Sequence, residues 1–124
     1  MPELPEVETV VKELRHHVVG KEIETLTASY QKLIKADESE IVKNVDGQKI
    51  TKIERFGKYI LICLENQYVV RVHLRMEGKF YMTEQLVDPL LDKHVHGIFH
   101  FTDGTFLKYH DVRKFGTFEN YRKS

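Results

Sequence analysis

The chain has 124 residues, the size of one ordinary domain and enough to bury a core. With 41% hydrophobic and 31% charged residues it has the composition of a soluble globular protein; no apolar run reaches membrane-spanning length, and the acidic start lacks the basic region of a secretion signal. Nineteen basic and nineteen acidic residues cancel, which lends little weight to a nucleic-acid partner, and the single cysteine, Cys63, excludes a disulfide within the chain. A cytoplasmic protein without membrane attachment is expected.

The opening stretch, MPELPEVETV, joins an imino acid to several carboxylates. Loss of Met1 would turn the Pro2 nitrogen from an acylated amide into a secondary amine. An α-amino group titrates near ~8, and desolvation favours its neutral, nucleophilic form. Attack on an electrophilic carbon would give a covalent imine-type intermediate. From a secondary amine that intermediate is an iminium with no N–H to lose, so it stays cationic and acidifies the neighbouring C–H, which suits a following elimination. Glu3, one residue away, can move protons to or from the bound substrate.

Pro5 suits the first position of a helix, Glu6 and Glu8 suit its positive end, and Val7, Val10, Val11, Leu14 and Val18 recur at helical spacing up to a stop at Gly20. A good helix start accounts for Pro5, Glu6 and Glu8. It does not account for Pro2 and Glu3. Beyond Gly20 the pattern shortens to strand-like runs: one or two strands within residues 22–35, a capping-box sequence at 37–40 ahead of a short helix through Val45, and a turn at Asp46-Gly47. Strands are expected at 48–56, 59–64, 68–74, 79–83, 97–102 and 105–109, with a hairpin at Asp103-Gly104 and a long loop over 84–93. The expected fold is mainly β with α: a two-layered antiparallel β-sandwich with a long N-terminal amphipathic helix and one short helix. Cys63, inside an apolar run, reads as a buried small hydrophobe. Residues 108–123 hold Lys108, Arg113, Lys114, Arg122 and Lys123 against Asp111 and Glu119, which on charge alone reads as a solvated tail.

Four further constellations each have a plain reading and a functional one. In Arg55-Phe56-Gly57-Lys58-Tyr59 the lysine follows a flexible glycine at a strand boundary, where lysines usually face solvent. In His73-Leu74-Arg75-Met76-Glu77-Gly78 the methionine lies on a tight turn and would by default plug the core. Arg113 and Phe115 are two residues apart and would point the same way if extended, or would simply end a strand with a solvated arginine. His94, His96 and His100 have strand-face spacing for a metal, but no cysteine or acidic partner at a matching spacing closes a zinc site.

The first nine residues, the R-x-x-K-Y of 55–59, the H-L-x-M-x-G of 73–78, the K-H-x-H of 93–96 and the R-[RK]-F-G of 113–116 occur in one order that resembles the bacterial formamidopyrimidine-DNA glycosylases and their endonuclease VIII relatives. The resemblance implies that Pro2 is a Schiff-base nucleophile and Glu3 the proton donor. By the same carry-over Lys58 contacts phosphate and assists elimination, and His94 contacts DNA. Met76 fills the gap left by an everted base, Arg113 pairs with the base opposite the lesion, and Phe115 wedges beside it. The implied function is base-excision repair of oxidised purines such as 8-oxoguanine, with β/δ-elimination at abasic sites, by a monomer acting on double-stranded DNA that carries those lesions. Members of the family are about twice as long and continue into a helix-two-turn-helix domain and a four-cysteine finger that holds one structural zinc. Residues 1–124 are therefore expected to be the N-terminal catalytic domain alone, without a cofactor of its own and weak or inactive in isolation. The alternatives are a non-catalytic DNA-binding module on the same scaffold and a histidine-based metal protein.

Overall fold

The apolar spacing at the start of the chain produces helix α1 (Leu4–Val18) in the computed structural model, which describes residues 4–29, 31–35 and 38–123. Val7, Val11, Leu14 and Val18 form one stripe and are all buried. Each such side chain contributes roughly 1.5–3 kcal/mol by leaving water. Gly20 ends the helix at φ +90°, a conformation that favours glycine, and its N–H donates to the Ile50 carbonyl at 2.8 Å.

The remaining elements are β1 (Ile23–Ala28), α2 (Glu38–Val45), β2 (Ile50–Phe56), β3 (Tyr59–Leu64), β4 (Tyr68–His73), β5 (Lys79–Thr83), β6 (Val95–Phe101), β7 (Phe106–His110) and β8 (Thr117–Arg122), with 3-10 turns at Gln31–Leu33 and Asp92–His94. They build two four-stranded antiparallel sheets, one in the order β1-β6-β7-β5 and the other β2-β3-β4-β8. Ile53, Ile60, Ile62, Val70, Val72 and Phe118 from the second sheet join Leu26, Phe99, Leu107 and Tyr109 from the first in one buried core. Helix α1 packs along β2, where Arg15 Nε donates to the Ile53 carbonyl at 2.8 Å, and α2 packs on β1. This is the expected two-layered sandwich with one long and one short helix.

Residues 22–35 hold one strand, within the one or two expected, followed by a 3-10 turn, and the capping residue expected at Asp37 lies outside the described residues. The expectation for residues 108–123 changes. That stretch, expected to be a solvated tail, instead contains the end of β7, the following loop and all of β8, which is paired along its whole length with β4. Its Phe118 is fully buried, with ring centroids 5.0 Å from Tyr109 and 6.1 Å from Phe99. Lys108, counted among the tail's charges, is fully buried too; its Nζ donates to Asp92 Oδ1 at 2.6 Å and to the Leu86 carbonyl at 2.9 Å. Charge counting missed β8 because the strand supplies little apolar pattern of its own. It is recruited by β4, through the backbone ladder and the Arg71–Glu119 pair at 2.6 Å.

Phe118→Ala is expected to cost about 3–5 kcal/mol of stability in urea denaturation, as for other buried aromatics. Val112→Ala, at a half-exposed position, should stay within about 0.5 kcal/mol of the parent. A small loss for Phe118→Ala would contradict the placement of β8 in the core.

Candidate nucleic-acid interface

The rung Tyr59–His73–Thr117 closes one end of the second sheet. Beyond it lie the β2–β3 turn with Lys58, the β4–β5 turn with Met76, and the segment before β8 with Arg113 and Phe115. On the first sheet the rung Val95–His110–Lys79 finishes at the same end, with His94 just before it and Asp111 just after. The Asp111 N–H donates to the His94 carbonyl at 2.9 Å. Five residues expected at a DNA-contacting site are thus brought to one end of the sandwich. The remaining two, Pro2 and Glu3, lie outside the described residues.

Asp111 organises the loop that carries Arg113 and Phe115. Its side chain is fully buried, and Oδ2 accepts from the Tyr109 hydroxyl at 2.9 Å and from the Gly116 N–H at 2.8 Å. Oδ1 accepts from the Arg113 N–H at 3.2 Å, so the aspartate also bends its own backbone two residues on. The loop is not the extended strand end that two-residue spacing suggested. Lys114 at φ +59° breaks the alternation, and a conformation of that kind costs a non-glycine residue of order 1–2 kcal/mol.

The Met76 turn is pinned at both sides. Gly78 N–H donates to the Leu74 carbonyl at 3.0 Å, and Arg75 N–H donates to His73 Nδ1 at 3.1 Å. Met76 is 61% exposed, which rules out the core-plug reading, and Phe115 is 59% exposed beside the other loop. Phe56 and Val112 add exposed apolar surface to the same end. Apolar side chains gathered in this way mark a contact surface more often than chance scatter.

The β2–β3 turn bends at Gly57, φ +60°, and leaves Lys58 half-buried. Arg55 fastens this turn to the helix: its guanidinium donates to the Gly57 carbonyl at 2.9 Å and pairs with the Glu8 carboxylate on α1. The hydrogen bond from Arg55 holds the Glu8 carboxyl below its usual range. Charge follows the same layout. Lys58, Arg75, Arg113 and Lys114 project from the three loops against Glu77, whose Oε1 is 3.8 Å from Arg113 Nε, while the Asp111 charge is buried. A chain with no net charge therefore presents a basic end.

Two histidines near this end, His73 and His96, serve the frame. Burial pushes His96 below the ordinary imidazole value, and its neutral ring donates from Nε2 to the Asp111 carbonyl at 2.9 Å, with Nδ1 3.3 Å from Ser29 Oγ. His73 is lowered first by burial and then by the positive charges of Arg75, Lys35 and Lys58. His94 meets His110 edge to face at 5.6 Å, while His100, toward the opposite end of β6, has Nε2 3.1 Å from Thr27 Oγ1. Among the described residues no group of three or more His, Cys, Asp or Glu is placed to hold a metal ion. Sequence reasoning assigned no role to Tyr109, Asp111 or Gly78, although Gly78 ends one quoted motif and Asp111 stands two residues before another. The glycines that end the 73–78 and 113–116 motifs and the aspartate two residues before Arg113 were the available signals.

Fold and loops together define a β-sandwich domain with a basic, apolar-studded end and a helix fastened beside it. Residues 1–118 match the model of the formamidopyrimidine-DNA glycosylase N-terminal domain. The formamidopyrimidine-DNA glycosylase of Bacillus cereus is 50% identical over 125 residues, covering 99% of this chain and 44% of that protein. That of an Exiguobacterium species is 50% identical over 120 residues, covering 96% and 42%. The Lactococcus lactis enzyme bound non-covalently to DNA with an abasic site superposes with a TM-score of 0.90 at 39% identity, over 98% of this chain and 45% of that one. Its complex with DNA containing FAPY-dG gives 0.90 at 39%, over 98% and 44%. The chain belongs to the formamidopyrimidine-DNA glycosylase family and spans less than half the length of these relatives.

The pKa values of His73, His96, His100 and His110 are all lowered, with burial the first cause in each. The unfolded chain therefore takes up protons first as pH falls below 6.5, the ordinary value. Their contribution to stability is complete above that pH and is lost as pH falls through the window beneath it. The melting temperature is expected to drop between pH 7 and pH 5, before carboxylates whose ordinary values are 4.5 or 3.8 begin to protonate. A flat profile over that window would contradict the buried, neutral histidine frame.

Proposed function

We propose that this chain is the catalytic N-terminal domain of a bifunctional DNA glycosylase and abasic-site lyase acting on oxidised purines in double-stranded DNA. The reading rests chiefly on the convergence of Lys58, Met76, His94, Arg113 and Phe115 at one end of the sandwich, beside the helix that follows Pro2 and Glu3. Family membership supports it, as do relatives solved with abasic and FAPY-dG DNA.

Once Met1 is removed, the Pro2 nitrogen attacks C1′ of the damaged nucleotide. The N–C1′ bond forms as the glycosidic bond breaks, and the purine leaves with the electron pair and a proton supplied through Glu3. Opening of the sugar then yields an iminium. Loss of a C2′ proton expels the 3′-phosphate, and a second elimination releases the 5′-phosphate. Lys58 neutralises phosphate charge during these departures, and His94 contacts the backbone. Everting a nucleotide costs a few kcal/mol, which Met76, Arg113 and Phe115 offset by occupying the vacated stack, where one aromatic–base contact is worth ~1–3 kcal/mol.

Phosphate contacts dominate affinity for DNA, and the relatives hold more than half of their length beyond the matched region. This chain alone should therefore bind DNA feebly. On duplex containing 8-oxoguanine at physiological salt its turnover should fall far below that of the Bacillus cereus relative; comparable turnover would refute the weak-fragment proposal. The chemistry is tested separately. After intact mass establishes loss of Met1, borohydride at low salt should trap a covalent adduct with abasic duplex, and Pro2→Gly, which keeps a terminal amine, should retain part of it. No adduct from demethionylated protein would instead favour a non-catalytic DNA-binding module.

A further inference from the structure

The turn carrying Met76 and the loop carrying Arg113 and Phe115 are far apart in sequence, yet both close on the same buried atom. A Cβ at Gly78 would come 2.6 Å from the Tyr109 hydroxyl, and one at Gly116 would overlap that hydroxyl and lie 2.7 Å from Tyr109 Cζ. Both distances are shorter than real Cβ contacts, so each glycine is a point of close backbone approach. The Tyr109 ring is fully buried on β7 and the hydroxyl is fixed by its 2.9 Å bond to Asp111 Oδ2, the oxygen that also holds the Gly116 N–H. The Arg113–Glu77 pair adds a direct link across the two segments.

We infer that Tyr109 and Asp111 are positioning residues that lock the Met76 turn and the Arg113–Phe115 loop into one rigid body, so that the residues proposed to fill the vacated base stack move together. Close packing on a single hydroxyl leaves neither backbone room to shift without displacing Tyr109, and Tyr109 cannot move without releasing Asp111 and with it Gly116. The role in DNA handling rests on the reading given under Proposed function; the mechanical coupling does not.

The experiment is amide hydrogen exchange on this chain, parent against Tyr109→Phe, which keeps the ring and removes the hydroxyl. Protection of the Gly78 and Gly116 amides should fall together by at least tenfold, while the Gly104 amide, bonded to the Phe101 carbonyl in the distant hairpin, stays unchanged. A change at Gly116 alone, or at neither, would overturn the coupling. Should Tyr109→Phe lower protection everywhere, Gly116→Ala decides: the nearest atoms to its new Cβ are those of Tyr109 and Asp111, whereas a Cβ at Gly78 would also meet the Leu74 carbonyl of its own turn at 2.6 Å; exchange at Gly78 must rise if the two segments are joined through Tyr109, and an unmoved Gly78 amide rejects the proposal. Borohydride trapping with abasic duplex supplies the functional arm. For Tyr109→Phe the maximal trapping rate should fall about tenfold, while the DNA concentration giving half that rate changes by less than about threefold, because phosphate-contacting groups are intact. An equal maximal rate would show that the lock does not serve the reaction. No adduct even from the parent would count against the function alone, with the exchange result still standing.

Discussion

A carboxylate buried to zero exposure at the end of β7 is the feature on which the loop-bearing end of this protein depends. An isolated buried carboxylate costs several kcal/mol, so Asp111 is tolerable only because the Tyr109 hydroxyl and the Gly116 and Arg113 amides all donate to it. Hydrogen bonds to a charged group contribute about 1.5–3 kcal/mol each, enough to outweigh the strain of Lys114 at positive φ. The backbone of the same residue bonds His94 and His96. One residue therefore joins the start of β6, the end of β7 and the approach to β8, tying the two sheets together where the loops emerge.

This arrangement divides the work between scaffold and loops. The sandwich core is apolar, interlocked by Tyr109, Phe99 and Phe118, and supplies rigidity. The loops carry what a core excludes: exposed Met76 and Phe115, and basic groups, among them Arg113 paired with Glu77. Arg55 extends the order to α1 by bridging Glu8 and the Gly57 carbonyl, so the helix following the first residues is set relative to the Lys58 turn. An exposed ion pair of this kind adds little stability, and its value is directional.

Where structure follows from local pattern, the sequence is readable. The stripe of Val7, Val11, Leu14 and Val18, the turn at Asp46-Gly47 and the hairpin at Asp103-Gly104 each announce themselves within a few residues. Strand β8 does not, because its single deeply buried residue, Phe118, has meaning only against rings from other strands. Lys108 is misjudged for the same reason: its partners, Asp92 and the Leu86 carbonyl, are on a loop 16 and 22 residues earlier. The proposed site residues rest on motif order, whereas the alternation argument for Arg113 and Phe115 failed at Lys114. Tyr109 and Asp111 escaped notice since a buried polar pair is visible only once the fold has closed around it. The basic character of the loop end was equally hidden by a net charge of zero, which averages over faces that the fold separates.

The central claim is that DNA meets this chain at the end where these loops emerge. Titrating a short abasic-site duplex into isotopically labelled protein, and following amide chemical shifts, tests it most directly. The account requires the perturbed amides to cluster at Lys58, residues 75–77, His94 and residues 112–116. Perturbations centred instead on the opposite end, around Lys21, Gln67 and the Asp103-Gly104 hairpin, with those loops unmoved, would contradict it.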